Sequence, residues 1–284
     1  RKAKAKGIKR IKLMYDDMGW CRDPLPRLVK MKSEIMSALV NEAEKEDLMY
    51  EVHAPQIKDA KEVRDSVANP RGLAFAHGIL DGNIGSGDYI FNWSVYLSFG
   101  GKISSSFYVP TFCVFAFLAD TKGFMEQALE DLRFRSSLPD EIFLQYTSEE
   151  YYQRYAGRYP NISFVKSHLG TLDSNVTNLS RGKIAFGTDM WAFPGIGAHL
   201  ELEYMVNGGM SAMRALSAGS ATAARFLDEV KRIGKIESGM LADLLILDAN
   251  PLDDIRNTRS VRTIIKHGKI FDHQQLIEES KLMK

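Results

Sequence analysis

The chain of 284 residues sets 37 lysines and arginines against 36 aspartates and glutamates, a formal net charge of +1, with 45% hydrophobic and 26% charged residues. That balance is ordinary for a globular protein and excludes a general affinity for polyanions; no apolar run is long enough to span a bilayer. The length suits one large domain, or a large domain with a small appendage. Its two cysteines, Cys21 and Cys113, stand far apart, which is neither a disulfide framework nor a thiolate zinc motif.

Seven of the first twelve residues are basic. They read either as an arm for nucleic acid or anionic lipid, or as a helix C-terminus. In the second reading Lys2, Lys4 and Lys6 meet the negative end of the helix dipole and Gly7 supplies the left-handed cap. The charge stops abruptly and Ile8, Ile11, Leu13 and Met14 are apolar, which favours the helix end followed by a strand over 8–14. Helical spacing of Leu28, Met31, Ile35, Met36, Leu39 and Val40 predicts a helix over 25–47. A strand over 48–53 then ends in His53, a helix covers 56–68, and a second short strand over 72–78 carries His77 near its end. After a helix-like region, 108–112 reads as a strand with a polar tip. Residues 121–153 read as mostly helical, with a helix start marked by Ser136, Ser137, Pro139 and Asp140.

A weak strand over 162–165 leads by a loop to 184–190, where a short apolar run ends in Gly187-Thr188-Asp189. Helices over 199–207 and 211–227 follow. Strand alternating with helix predicts a parallel sheet covered by helices. In an α/β barrel, polar residues at strand C-termini face the active site. From Gly234 the texture changes to a strand over 242–248 and a hairpin of 261–265 with 269–271 around His267-Gly268. The expected organisation is a barrel portion over 1–233, a small β module over 234–273 and a tail over 274–284.

Lys12, His53, His77 and Asp189 each lie near the end of a short apolar strand. Imidazole nitrogens and carboxylate oxygens suit zinc-like divalent metals, and a catalytic site keeps one position open for water. A lysine ligates only after carbamylation turns its tip into a carboxylate. Singly, each residue has an ordinary reading: a core histidine, a surface lysine, a turn carboxylate. The shared strand-end placement is what points to a metal site.

A set of motifs runs along the chain: Ile11-Lys12-Leu13, Val52-His53-Ala54, Ala76-His77-Gly78, Val109-Pro110-Thr111, Gly187-Thr188-Asp189 and His199-Leu200-Glu201-Leu202. The run from Ser220 through Gly234-Lys235-Ile236-Glu237-Ser238-Gly239 and Ala242-Asp243-Leu244 to Asn250-Pro251-Leu252 completes it. With these motifs the chain resembles the C-terminal part of an amidohydrolase-superfamily metal hydrolase, of the imidazolonepropionase-related and Xaa-Pro dipeptidase (prolidase)-like kind. The resemblance implies a (β/α)8 TIM-type barrel, of which strands 4–8 are present, with a small β-sandwich module at the C-terminus. It implies Lys12 as a carboxylated bridging lysine on strand 4, His53 and His77 as metal ligands from strands 5 and 6, and Asp189 as the strand-8 metal ligand and proton shuttle. Two zinc ions per complete site are expected, another divalent metal being the alternative. Family members carry a His-x-His pair on strand 1, whereas the six histidines here stand at 53, 77, 168, 199, 267 and 273. The missing N-terminal barrel half is therefore expected in the same or another chain, with a homo-oligomer as the assembly.

His199 and His168 are candidates for contact with substrate or for support of the ligands, with a helix-capping or structural role as the equal alternative for His199, and His267 reads as structural. The expected function is metal-dependent hydrolysis of an amide or peptide C–N bond, on a small molecule or a dipeptide of Xaa-Pro or N-acyl amino acid type. A mononuclear imidazolonepropionase-like cyclic amidase and a non-catalytic amidohydrolase-like scaffold are the alternatives. Neither nucleic acid nor membrane is an expected partner. The chain starts at Arg1 rather than methionine, which leaves the compartment open, with the cytoplasm favoured.

Overall fold

The computed structural model describes residues 2–16, 29–54, 57–66, 73–76, 107–155, 184–190 and 195–282. Four strands, β1 (Arg10–Met14), β2 (Met49–His53), β3 (Leu73–Ala76) and β4 (Phe107–Val109), form a parallel sheet in sequence order. Ile184 adds a parallel bridge to Tyr108, reinforced where Ala185 N–H donates to the Tyr108 carbonyl at 2.9 Å. The register aligns Met14, His53, Ala76 and Val109 across the sheet, so the C-terminal tips end level. Level tips and parallel direction bring every strand-to-helix loop to one rim.

Helices cover one face. After the one-turn α1 (Lys2–Ala5) come α2 (Ser33–Lys45) and α3 (Ile57–Ser66) between the first strands. Leu13, Tyr50 and Val52 point from the strands into a core shared with Met36, Val40 and Ala43 of α2 and Val63 of α3. Period-two alternation then turns Lys12 and Met14 to the opposite face, with Glu51 and His53 as their register partners. Beyond β4, α4 (Phe112–Ala119), α5 (Thr121–Leu129), α6 (Leu132–Ser137), α7 (Asp140–Tyr146) and α8 (Glu149–Tyr155) follow closely. Phe117 of α4 contacts Phe124, Tyr151 and Tyr155 with ring centroids 5.1–6.3 Å apart. Then come α9 (Ile196–Asn207), α10 (Ala212–Ala218) and α11 (Ala221–Phe226). Phe226 of α11 meets Phe107 edge-on, and the Arg10 guanidinium lies 3.8 Å over the same ring, which packs α11 against the N-terminal ends of β1 and β4.

The C-terminal region is a three-stranded antiparallel sheet of β5 (Leu244–Leu247), β6 (Val261–Lys266) and β7 (Lys269–Asp272), followed by α12 (His273–Leu282). His267 and Gly268, both at positive φ, make the β6–β7 turn, as a two-residue type I′ hairpin requires. A 3-10 turn over Ile255–Arg259 packs on α9 and joins this sheet to the barrel helices.

Several expected elements differ. The strand read over 108–112 ends at Val109, because Pro110 offers no N–H to a ladder and α4 begins two residues later. The run 184–190 is extended but pairs only at Ile184 among the described residues. The mostly helical stretch over 121–153 comprises α5, α6, α7 and α8, with Asp131, Pro139 and Ser148 each standing just before a new helix; the start read at Pro139 and Asp140 is that of α7, and the other two breaks were not anticipated. Ser220 likewise separates α10 from α11. The helix placed over 25–47 begins at Ser33, and its residues 25–28 lie outside the described residues, as do the strand over 162–165 and the positions of His77 and His168. No helix among the described residues is long and apolar enough to cross a membrane.

Candidate active site

Lys12 and His53 occupy one face of adjacent strands, and Asp189 follows the segment that bridges to β4. The Lys12 ammonium lies 3.6 Å from the Glu51 carboxylate. Asp189 adopts a left-handed backbone, φ +48°, a region that aspartate and asparagine tolerate better than most residues. Although the residue is exposed at the rim, partial desolvation pushes its carboxyl up from the ordinary carboxylate range; the charges of Lys12 and His53 pull the other way, and Glu51 adds to the rise. Lys12, His53 and Glu51 thus all act on Asp189. Gly187 makes the approach feasible, since a Cβ there would stand 2.5 Å from a Val109 methyl.

A second layer of polar residues lies behind His53. The His53 Nε2 and the buried Asp16 carboxylate are 3.0 Å apart. Tyr15, whose ring is in the core, directs its hydroxyl to Glu62. Lys30 reaches Asp59 at 2.5 Å and Glu62 at 3.4 Å while its ammonium sits 4.2 Å over the Tyr15 ring. Burial raises the Asp59 carboxyl, Lys30 opposes that rise, and Glu62 and Asp16 add to it. Two acidic side chains, Asp59 and Glu62, thus share Lys30. Sequence reading missed this layer; the usable signal was an acidic pair, Asp16-Asp17, directly after a strand end.

Across the rim, Glu201 of α9 is fully buried and accepts the backbone N–H groups of Phe112 at 2.9 Å and Cys113 at 2.7 Å. It clamps the first turn of α4, whose preceding residue Thr111 is at φ +52°. The Cys113 thiol donates to the Gly197 carbonyl at 3.2 Å, and burial, then Glu201 and Glu203, raise its pKa well above the ordinary thiol value. These contacts fix the β4–α4 loop to α9, so the loops after β4 and after residue 184 share one support.

His199 sits apart from this constellation. Its Nδ1 is 3.0 Å from the Thr258 hydroxyl, and the Thr258 proton goes to the Ile255 carbonyl, so His199 Nδ1–H is the donor. It lines a cavity of about 180 Å³ with Asp131, Arg133, Arg259 and His273. Arg259 binds Glu203, and Asp131 at 3.5 Å, tying α9 and α6 to the 3-10 turn. Burial, then Arg259, hold the His199 pKa down at about 4; His273 lowers it further and Asp131 opposes. Folded protein therefore binds fewer protons here than unfolded protein between about pH 6.5 and 4. Stability from this group is complete above pH 6.5 and is lost as pH falls through that window. Urea unfolding at pH 7 and pH 4.5 should show a loss of up to about 3 kcal/mol from it, which His199→Gln removes.

A cavity of about 650 Å³ lined by Lys4, Lys9, Glu44, Asp47 and Tyr50 opens at the opposite, N-terminal end of the strands, away from Asp189. Among the described residues no three His, Cys, Asp or Glu side chains gather as a metal site. An imidazole at 53 and a carboxylate at 189 are donor types that zinc-like divalent metals take.

Comparison with known proteins places this arrangement in a class. Residues 164–271 match the Amidohydrolase family. The chain is 33% identical over 114 residues to the ochratoxinase of Aspergillus niger, a match covering 38% of this chain and 22% of that protein. A solved Xaa-Pro dipeptidase with bound methionine superposes with a TM-score of 0.58 at 22% identity, covering 96% of this chain and 56% of the other. A solved molinate hydrolase gives 0.62 at 15% identity, covering 97% and 54%. The chain thus spans little more than half the length of these structures and about a fifth of the curated relative, and the structural likeness establishes the fold.

Proposed function

We propose that this chain carries the C-terminal half of the active site of a metal-dependent hydrolase that cleaves an amide or peptide C–N bond. Support comes above all from one observation: Lys12 and His53 stand on one face of adjacent parallel strands that end level, and the charges of both act on the Asp189 carboxyl. Asp189 receives the proton of the attacking water and returns it to the leaving amine, the work of a general base that becomes a general acid. Its exposed position on the rim leaves it open to substrate. His53, Asp189, His77 and a carboxylated Lys12 would hold two zinc ions or another divalent pair, which supply an acidified water and a polarised carbonyl. The barrel read as strands 4–8 is completed by strands from the same or another chain, the C-terminal sheet forms one half of a β-sandwich, and the assembly is a homo-oligomer.

Likeness to an Xaa-Pro dipeptidase and an ochratoxinase supports a dipeptide or N-acyl amino acid as substrate. The test is metal content and hydrolysis of Xaa-Pro and N-acyl amino acid substrates by the purified full-length protein. Two zinc ions per site, with activity abolished by chelation and restored by zinc, are expected. One metal per site would sink the two-metal form and leave the mononuclear cyclic amidase. No bound metal and no hydrolysis after zinc reconstitution would establish the scaffold instead.

A further inference from the structure

We infer that Asp16 is a positioning residue that fixes the tautomer and orientation of His53, leaving Nδ1 as the ring nitrogen that serves the site. The inference rests on the proposed metal-hydrolase reading for its purpose, and on geometry for its substance. Asp16 follows β1 by two residues and His53 ends β2, and Tyr15 N–H donates to the His53 carbonyl at 2.9 Å, so the backbones of the two segments are locked side by side. Their side chains then meet at 3.0 Å, both buried. A carboxylate accepts only, so the hydrogen belongs on Nε2 of the ring and the lone pair on Nδ1. In metal sites a histidine is commonly oriented in this way, with a carboxylate on the nitrogen opposite the metal.

The surroundings hold Asp16 in that role. Its charge acts on Asp59, which is bound by Lys30. Lys30 in turn binds Glu62, the partner of the Tyr15 hydroxyl. The network runs from α3 to the residues after β1 and sets Asp16 beside Asp59.

Nitrogen-15 NMR of the histidine side chains in the full-length, metal-free protein tests this directly, with the His53 signal assigned by its loss in His53→Gln. At neutral to mildly alkaline pH, His53 should show a protonated Nε2 and a bare Nδ1. Asp16→Ala should shift it toward a mixture of tautomers, and Asp16→Asn, which keeps an acceptor oxygen, should restore the wild-type pattern. Zinc titration should show affinity about 10–100-fold weaker in Asp16→Ala. A His53 protonated at Nδ1 in the wild type, or an Asp16→Ala spectrum identical to wild type, overturns the inference. If Asp16→Ala does not fold, the wild-type and Asp16→Asn spectra still decide it. A wild type that binds no zinc yet shows the Nε2–H tautomer refutes the metal reading and leaves the orienting role of Asp16 supported.

Discussion

Asp189→Asn is expected to lower kcat for the proposed hydrolysis by about 10²–10⁴-fold, the usual contribution of a positioned proton-transfer group, with little change in the unfolding midpoint. Asparagine is the informative replacement because of the backbone. At φ +48° asparagine is among the few residues that sit without much strain, so loss of activity reports lost proton transfer rather than a displaced loop. Asp189→Ala would combine both effects, and the difference in stability between the two variants measures the conformational preference alone. Substrate saturation kinetics on both proteins, with metal content measured in parallel, separate a failure of proton transfer from a failure to hold metal. An asparagine variant with full metal and wild-type kcat would remove Asp189 from the mechanism.

Glu201→Ala is expected to produce the largest loss of stability of any single substitution considered. It strips the acceptor from two buried backbone donors, Phe112 and Cys113, and each orphaned group costs about 1–3 kcal/mol. Roughly 2–6 kcal/mol in total is a large part of the stability of an ordinary domain. Glu201→Gln keeps one acceptor oxygen but turns an NH2 toward the other donor, so an intermediate loss of about 1–3 kcal/mol is expected. The two substitutions also differ from wild type in pH response. Complete burial pushes the Glu201 carboxyl up to about 8, even though both backbone donors favour the ionised form. Between about pH 4.5 and 8 the folded state then keeps a proton that the unfolded state has released. By linkage, this group's contribution to stability is greatest below pH 4.5 and declines as pH rises through that window. Denaturant curves at pH 5.5 and pH 8 should show the decline in wild type and its absence in Glu201→Gln. A wild-type contribution that rises with pH would mean the donors outweigh burial.

Those two residues mark how far the sequence could be read. β1, β2 and β3 were legible because each is a short apolar run between turn residues, with a polar group at its end. The β6–β7 hairpin was legible from His267-Gly268. The start of α4 was not: Phe112–Ala119 is apolar on every side, and a helix buried all round gives no periodic contrast with a strand. What fixes it as a helix is Glu201, 89 residues from Phe112, and no local pattern carries such a distance. Asp16 was equally hidden, because its neighbour Asp17 has the same chemistry and only the partner at 53 distinguishes them. For His199 the sequence left a role at the site and a structural role equally open, and α9 turns it toward Thr258 and the C-terminal sheet.

The Cys113 thiol, held against Gly197 and deprived of ionisation by its surroundings, makes the α4–α9 contact readable in time. A thiolate-seeking reagent in solution can label Cys113 only during moments when the two helices part, so the labelling rate at low reagent concentration reports how often the α4–α9 contact opens. In a substrate-bound protein that rate would slow in proportion to how firmly the ligand holds the rim together. The chain therefore contains its own clock for motion at the site, independent of any turnover.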